Sequence, residues 1–151
     1  LPRLAGVQAA GCAPLRQAID EGLSFLETLD RPWPNPKTIA GGIADDIIFD
    51  GHTVLPAIRT TDGVALAVDD EQILAGELAL ARWEGILCEP STAVVVPALE
   101  QLPCVPEETR VCCIVTGTGI KDLNVLKDHT PEPAVVPPDL DALRRVVEQM
   151  P

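Results

Sequence analysis

Val111-Cys112-Cys113-Ile114-Val115 is apolar at every position, and no other feature constrains the fold of this chain as strongly. A strand with one wet face alternates apolar with polar residues, whereas an unbroken apolar run suits a strand covered on both faces. Two further runs, "RLAGVQA" (3–9) and "VALAV" (64–68), also read as short strands. Segments of helical spacing lie between the three. Strands separated by helices predict right-handed βαβ units, hence an α/β fold with a parallel sheet and flanking helices.

The intervening segments carry their own punctuation. Pro14 suits the first turn of a helix with Leu15, Ala18 and Ile19 on one face and Gly22 as its stop. "RPWPNPK" (31–37) is irregular, because three prolines in five positions remove donors and fix φ. It delivers the chain to a glycine-bearing turn, "TIAGGIAD" (38–45). A helix over roughly 52–61, ended by Gly63, precedes the second strand. Asp69 with Gln72 forms a capping-box pattern for a helix that places Leu74, Leu78 and Ala81 at helical spacing, takes Trp83 into the core and stops at Gly85. "EPSTAVVVPALEQL" (89–102) reads as a helix started by Ser91, with a kink or early end at Pro97, since an interior proline costs about 3 kcal/mol. Residues 129–139 are proline-rich and extended, and Asp139 caps a last short helix with Leu140, Leu143 and Val147 inward.

Composition narrows the function classes. At 151 residues and 46% hydrophobic content the chain amounts to one domain with a real core. No apolar run approaches the ~20 residues that cross a bilayer, and no basic segment followed by an apolar stretch opens the chain, so neither membrane nor secretion is expected. A net charge of −12 argues against nucleic acid and otherwise reports solubility. The five cysteines (Cys12, Cys88, Cys104, Cys112, Cys113) are irregularly spaced without a CxxC pair, and His52 and His129 are far apart. No metal site is expected; Cys112 and Cys113 read as small hydrophobes of a strand, the histidines as exposed, and the compartment as the reducing cytoplasm. Position 1 is Leu and the one methionine is Met150, which leads us to expect part of a longer polypeptide.

Thr116-Gly117-Thr118-Gly119 follows the third run directly, at the carboxyl end of a strand, where open parallel sheets bind ligands. Glycines let a backbone approach a ligand and threonine hydroxyls donate or accept, but a tight surface turn reads equally well. The same two readings hold for "TIAGGIAD". The GxGxxG and GxxxxGKT nucleotide patterns are absent. Asp69-Asp70-Glu71 is a negatively charged helix start, and Lys121-Asp122 is a solvated pair or a brace for the loop.

Taken in order, "GVQAAGCAPL", "KTIAGGIAD", "VALAVDDEQIL", "EGILCEPSTA" and "VCCIVTGTGIKD" resemble the C-terminal half of threonine synthases and, more broadly, pyridoxal-phosphate enzymes of the tryptophan-synthase-β fold (fold type II). "TIA-x-GIA" is also similar to serine and threonine dehydratases. The resemblance implies a lyase that converts O-phospho-L-homoserine to L-threonine and phosphate, with pyridoxal 5'-phosphate as cofactor, an amino-acid substrate and a homodimer. It implies that Thr116 hydrogen-bonds the cofactor's pyridine nitrogen, that Ala40, Gly41 and Gly42 lie along its ring, and that Glu89 borders the site. A hydroxyl, unlike a carboxylate, does not hold that nitrogen protonated, which moderates the electron sink.

The same resemblance implies an N-terminal half carrying the Schiff-base lysine and the cofactor-phosphate loop. Lys37, Lys121 and Lys127 do not stand in that lysine's context, so no catalytic residue is assigned and this segment alone is expected to be inactive. Residues 1–128 would be the C-terminal part of the catalytic domain, mostly its large domain, and 129–151 a proline-rich tail with a short helix. A serine/threonine dehydratase, another β-replacement enzyme, or a non-catalytic half-domain binding a partner or small anion are the alternatives.

Overall fold

The computed structural model describes residues 1–103, 106, 108–130, 132 and 134–149. Cys104, Pro131, Pro133 and Met150, which figure in the sequence reading, lie outside the described residues.

Two strands pair as expected. β1 (Ala5–Ala9) and β2 (Val64–Val68) run parallel, with Ala5 opposite Val64 and Ala9 opposite Val68. Between them come α1 (Pro14–Asp20), α2 (Phe25–Leu29), a 3-10 turn at Gly41–Ile43 and α3 (Gly51–Thr60). After β2 come α4 (Asp70–Glu84), α5 (Pro90–Ala93), α6 (Val95–Gln101), a 3-10 segment at Gly119–Leu126 and α7 (Leu140–Glu148). The period-2 geometry of a strand divides the helices into two layers. Leu66 and Val68 pack with Ile73, Val94 and Ala98 of the α4–α6 side, while Ala65 packs with Leu15, Leu55 and Ile58 of the α1–α3 side. This is an α/β sandwich of helices around a parallel sheet.

Caps set the helix boundaries. The N-cap of α1, Ala13, has no capping oxygen, and Gln8 of β1 substitutes: its Oε1 accepts from the backbone N–H of Leu15 (2.8 Å) and Arg16 (3.3 Å). Asp69 and Gln72 form the reciprocal capping box, and Gly85, at φ 68°, ends α4 in the left-handed region that glycine enters without penalty. A second capping box, Ser24 with Glu27, starts α2, a helix the periodicity did not announce because it is only five residues long.

Four expectations are corrected. Residues 111–115 are not a strand: they have no assigned secondary structure, and Ile114 is 71% exposed. A strand is completed by its neighbour's hydrogen bonds, and among the described residues none is offered to this run. Cys112 and Cys113 are therefore exposed instead of core residues. Trp83 is 77% exposed, because the last turn of α4 extends past the elements that cover its start. Leu140, Leu143 and Val147 of α7 are exposed, so they do not form an inward face. The helix over 89–102 is interrupted at Val94, three residues before Pro97, which places Pro97 in the first turn of α6, where its missing N–H costs no hydrogen bond.

Candidate functional site

The turn at 38–42 is anchored to the carboxyl end of the sheet. Asp70, the first residue of α4 and two positions past β2, accepts from Thr38 Oγ1 (2.5 Å) and from the N–H of Ile39 (3.2 Å). Thr38 Oγ1 in turn accepts from the N–H of Ala40 (3.1 Å). Asp70 thus does more than start a helix: it holds the turn in the crevice beyond the strand ends, the position at which open parallel sheets receive ligands.

α5 then joins this turn to the Thr116–Gly119 loop through two consecutive hydroxyls. Ser91 Oγ accepts from the N–H of Gly42 at 2.9 Å. Thr92 Oγ1 lies 2.9 Å from Thr116 Oγ1 and accepts from the N–H of Gly117 at 3.0 Å. Backbone pairing closes the loop: Glu89 N–H donates to Gly117 O (3.1 Å) and Gly119 N–H to Leu87 O (3.0 Å). Gly117 lies close under the Glu89 carboxylate, which would have to shift to admit a Cβ there. That carboxylate is held by Lys121 Nζ at 2.7 Å. Lys121 therefore braces the loop rather than standing as a solvated partner of Asp122.

Gly41, Gly42, Glu89 and Thr116 are thus brought together, with Ala40 beneath the turn. Ala40 is buried; Gly41, Gly42 and Thr116 are exposed, and Glu89 is half-buried beside the loop. A methyl group added to Gly41 would meet no atom within 4 Å, so the surface above the turn is open. Small residues line 41–42, and the Thr116 hydroxyl stands at the border of this face. The arrangement is one wall of a site, not an enclosed pocket. Ser91 and Thr92 were missed as functional residues by sequence reasoning. The signal is two adjacent hydroxyls in the first turn of a short helix; the sequence assigns Ser91 to the helix start, whereas the helix begins at Pro90 with Glu89 at the N-cap position and no side-chain cap.

Elsewhere, Glu77 of α4 is fully buried and both carboxylate oxygens lack a hydrogen-bond partner among the described residues. Burial, and secondarily the negative charge of Asp122, raises its pKa to about 7. Buried Cys88 is pushed up as well, first by desolvation and then by Glu77. His52 lies against Phe25 with ring centroids 5.7 Å apart, and both histidines are exposed. Among the described residues no group of three or more His, Cys, Asp or Glu is placed to hold a metal, and no helix is long and apolar enough to cross a membrane.

Fold and site together define a class: an α/β protein whose strand-end loops build an open, glycine-lined wall beside a threonine hydroxyl. The family model for pyridoxal-phosphate dependent enzymes matches residues 1–117, and the chain belongs to that family. It is 37% identical to a threonine synthase of Methanosarcina acetivorans over 150 residues, 97% of this chain and 36% of the relative. It is 32% identical to one of Methanocaldococcus jannaschii over 153 residues (99% and 37%) and 36% identical to one of Mycobacterium leprae over 154 residues (99% and 38%). The chain therefore spans less than two fifths of the length of these curated relatives.

Proposed function

We propose that this chain is the cofactor-wall portion of a pyridoxal-phosphate dependent threonine synthase, a lyase that uses water to convert O-phospho-L-homoserine to L-threonine and phosphate. The observation that carries the reading is the pairing of Thr116 and the 40–42 turn through Thr92 and Ser91, together with relatives that all bear that name. Bound there, pyridoxal 5'-phosphate supplies an electron sink for carbanion chemistry on an amino acid. Thr116 would place its hydroxyl at the ring nitrogen, with Thr92 fixing the rotamer. Gly41 and Gly42 would lie against the ring with buried Ala40 supporting the turn beneath them, and Glu89, clamped by Lys121, would border the loop without touching the reacting atoms.

The catalytic lysine and the cofactor-phosphate loop would come from polypeptide outside residues 1–128, so these residues alone would not turn over substrate. The proline-rich tail, 129–151, would lie apart from the catalytic domain. The complete enzyme would be a cytoplasmic homodimer without a nucleic-acid partner.

The test is a chimera in which this chain replaces the stretch it aligns with in the Methanosarcina enzyme. Thr116→Asp is expected to shift the cofactor's absorbance and to cut phosphate release by at least ~100-fold, the scale of a lost site interaction at the reacting centre. An unchanged spectrum and rate would remove Thr116 from the site. The TIAGGIA turn favours a second reading, a serine/threonine dehydratase, which ammonia release in place of phosphate release would establish.

A further inference from the structure

Glu77 stands on the core-facing side of α4. Ile73, Glu77 and Leu80 lie four and three residues apart, hence on one face of the helix, and Ile73 and Leu80 pack in the core cluster that β2, α5 and α6 complete. Beside it, Gly76 lets α4 press against the α5–α6 junction: a Cβ there would come within 2.9 Å of Pro97 Cδ. The Glu77 carboxyl is fully buried, and neither oxygen has a hydrogen-bond partner among the described residues. The groups that face it bring no positive charge. The segment before α5 brings the Cys88 thiol, and the 3-10 segment brings the like charge of Asp122. Lys121, next to Asp122, has its ammonium on Glu89. β2, α5 and α6 contribute apolar side chains to the cluster, while Arg82 of α4 and Glu100 of α6 are exposed.

Cys88 and Asp122 belong to the two arms of one small ladder. Cys88 bridges Thr118, Glu89 N–H donates to Gly117 O, and Gly119 N–H donates to Leu87 O. Outside this ladder Leu87 and Ile120 are exposed, whereas Val68, Ile73 and Ala93 of the core cluster are fully buried. Water therefore reaches an ionised Glu77 most readily by parting the ladder, and repulsion from Asp122 pushes the same way. We propose that Glu77 is a positioning residue: its carboxyl must be protonated for the ladder of 87–89 with 117–119 to stay closed, and its ionisation releases the loop that carries Thr116. The consequence for the cofactor rests on the reading of this loop as part of the cofactor wall; the opening itself does not. The 38–42 turn, tied to Asp70 and Ser91, stays in place, so the wall has a fixed half and a pH-dependent half. Burial first, and Asp122 second, raise the carboxyl's pKa from 4.5 to about 7 in the folded chain. Closure is then complete below about pH 4.5, weakens as pH rises and levels off above about 7.

The experiment follows amide exchange at Glu89, Gly117 and Gly119 across the acid and neutral range, each rate divided by the intrinsic rate at that pH. Protection is expected to fall at least ~10-fold between about pH 5 and about pH 8, and to stay level in Glu77→Gln. Dilute urea should leave these rates unchanged while it speeds exchange over β2, because a local opening exposes little surface. No fall, a fall that persists in Glu77→Gln, or a fall that follows urea in step with β2 would each overturn the proposal. The last outcome would make Glu77 a determinant of overall stability alone. Glu77→Leu, apolar like Ile73 and Leu80, serves the same comparison if the glutamine variant does not fold. Cofactor is then titrated into the chimera described above. Over the same pH span its dissociation constant should rise at least ~3-fold more with Glu77 than with Gln at this position; equal rises would overturn the link to Thr116. A chimera that binds no cofactor removes the enzymatic reading, and the exchange rates alone then decide the opening.

Discussion

"VALAV" at 64–68 and "VCCIV" at 111–115 are two five-residue apolar runs of nearly the same pattern, yet their structures are opposite. The first is paired with β1, covered on both faces and fully buried at Val68; the second has no backbone partner among the described residues, and Ile114 is largely exposed. The difference teaches that apolarity makes a run eligible for a sheet, while a neighbour with free hydrogen-bonding groups and helices on both faces admits it. β2 has Ala5–Ala9 alongside and Ile73, Ala98, Leu55 and Ile58 above and below. Residues 111–115 have a groove where such partners would be.

The sharpest way to break this comparison is a charge in each run. Val68→Asp buries an unpaired carboxylate in the core and is expected to leave the chain unfolded, a loss of at least about 3 kcal/mol. Ile114→Asp in the isolated chain is expected to change stability by no more than about 0.5 kcal/mol, as for an exposed position. Denaturant titration of both checks this, and comparable losses would mean that 111–115 is as integral to the fold as β2.

Next in size is the misfit within the covered side, Glu77. Its folded-state pKa lies above the unfolded value, so the native state binds the proton more tightly. Stability is then retained in acid and lost as pH rises toward and through about 7. Above that range Glu77→Gln is expected to stabilise the chain by as much as about 3 kcal/mol, and below about pH 4.5 the advantage should vanish. A gain that is the same at pH 5 and pH 8, measured by urea unfolding, would show that ionisation at this position costs nothing.

An effect smaller than those at Val68 and Glu77 should fall where the packed body meets the exposed loop. Thr92→Val keeps the shape of a buried side chain but leaves the N–H of Gly117 without its acceptor and frees the Thr116 hydroxyl. About 1 kcal/mol of stability should go, with faster amide exchange at Gly117. Unaltered exchange would mean that α5 does not hold the loop.

Much of the body was legible in the chain. Strand 64–68, the capping box of Asp69 and Gln72, the stop at Gly85 and the cap of Asp139 are all where local chemistry put them. The reason is that each depends on residues a few positions apart. The boundary of α1 was legible as well, although its capping oxygen comes from Gln8, seven residues away from Leu15. The outward faces of Trp83 and α7 were not legible, because burial depends on what packs against a helix and not on the helix itself.

For the wall, sequence alone supplied the parts: small residues at 40–42, hydroxyls and glycines at 116–119, and the acidic starts of α4 and α5. Their assembly came from contacts across long separations, Thr38 to Asp70, Gly42 to Ser91 and Thr92 to Thr116, spanning 24 to 49 residues. No short-range rule encodes such contacts, since a hydroxyl's partner is decided by where the sheet brings distant loops together. The composition of 111–115 states that the run can be buried; the tertiary structure leaves it open, because burial requires a second surface that these residues cannot make by themselves.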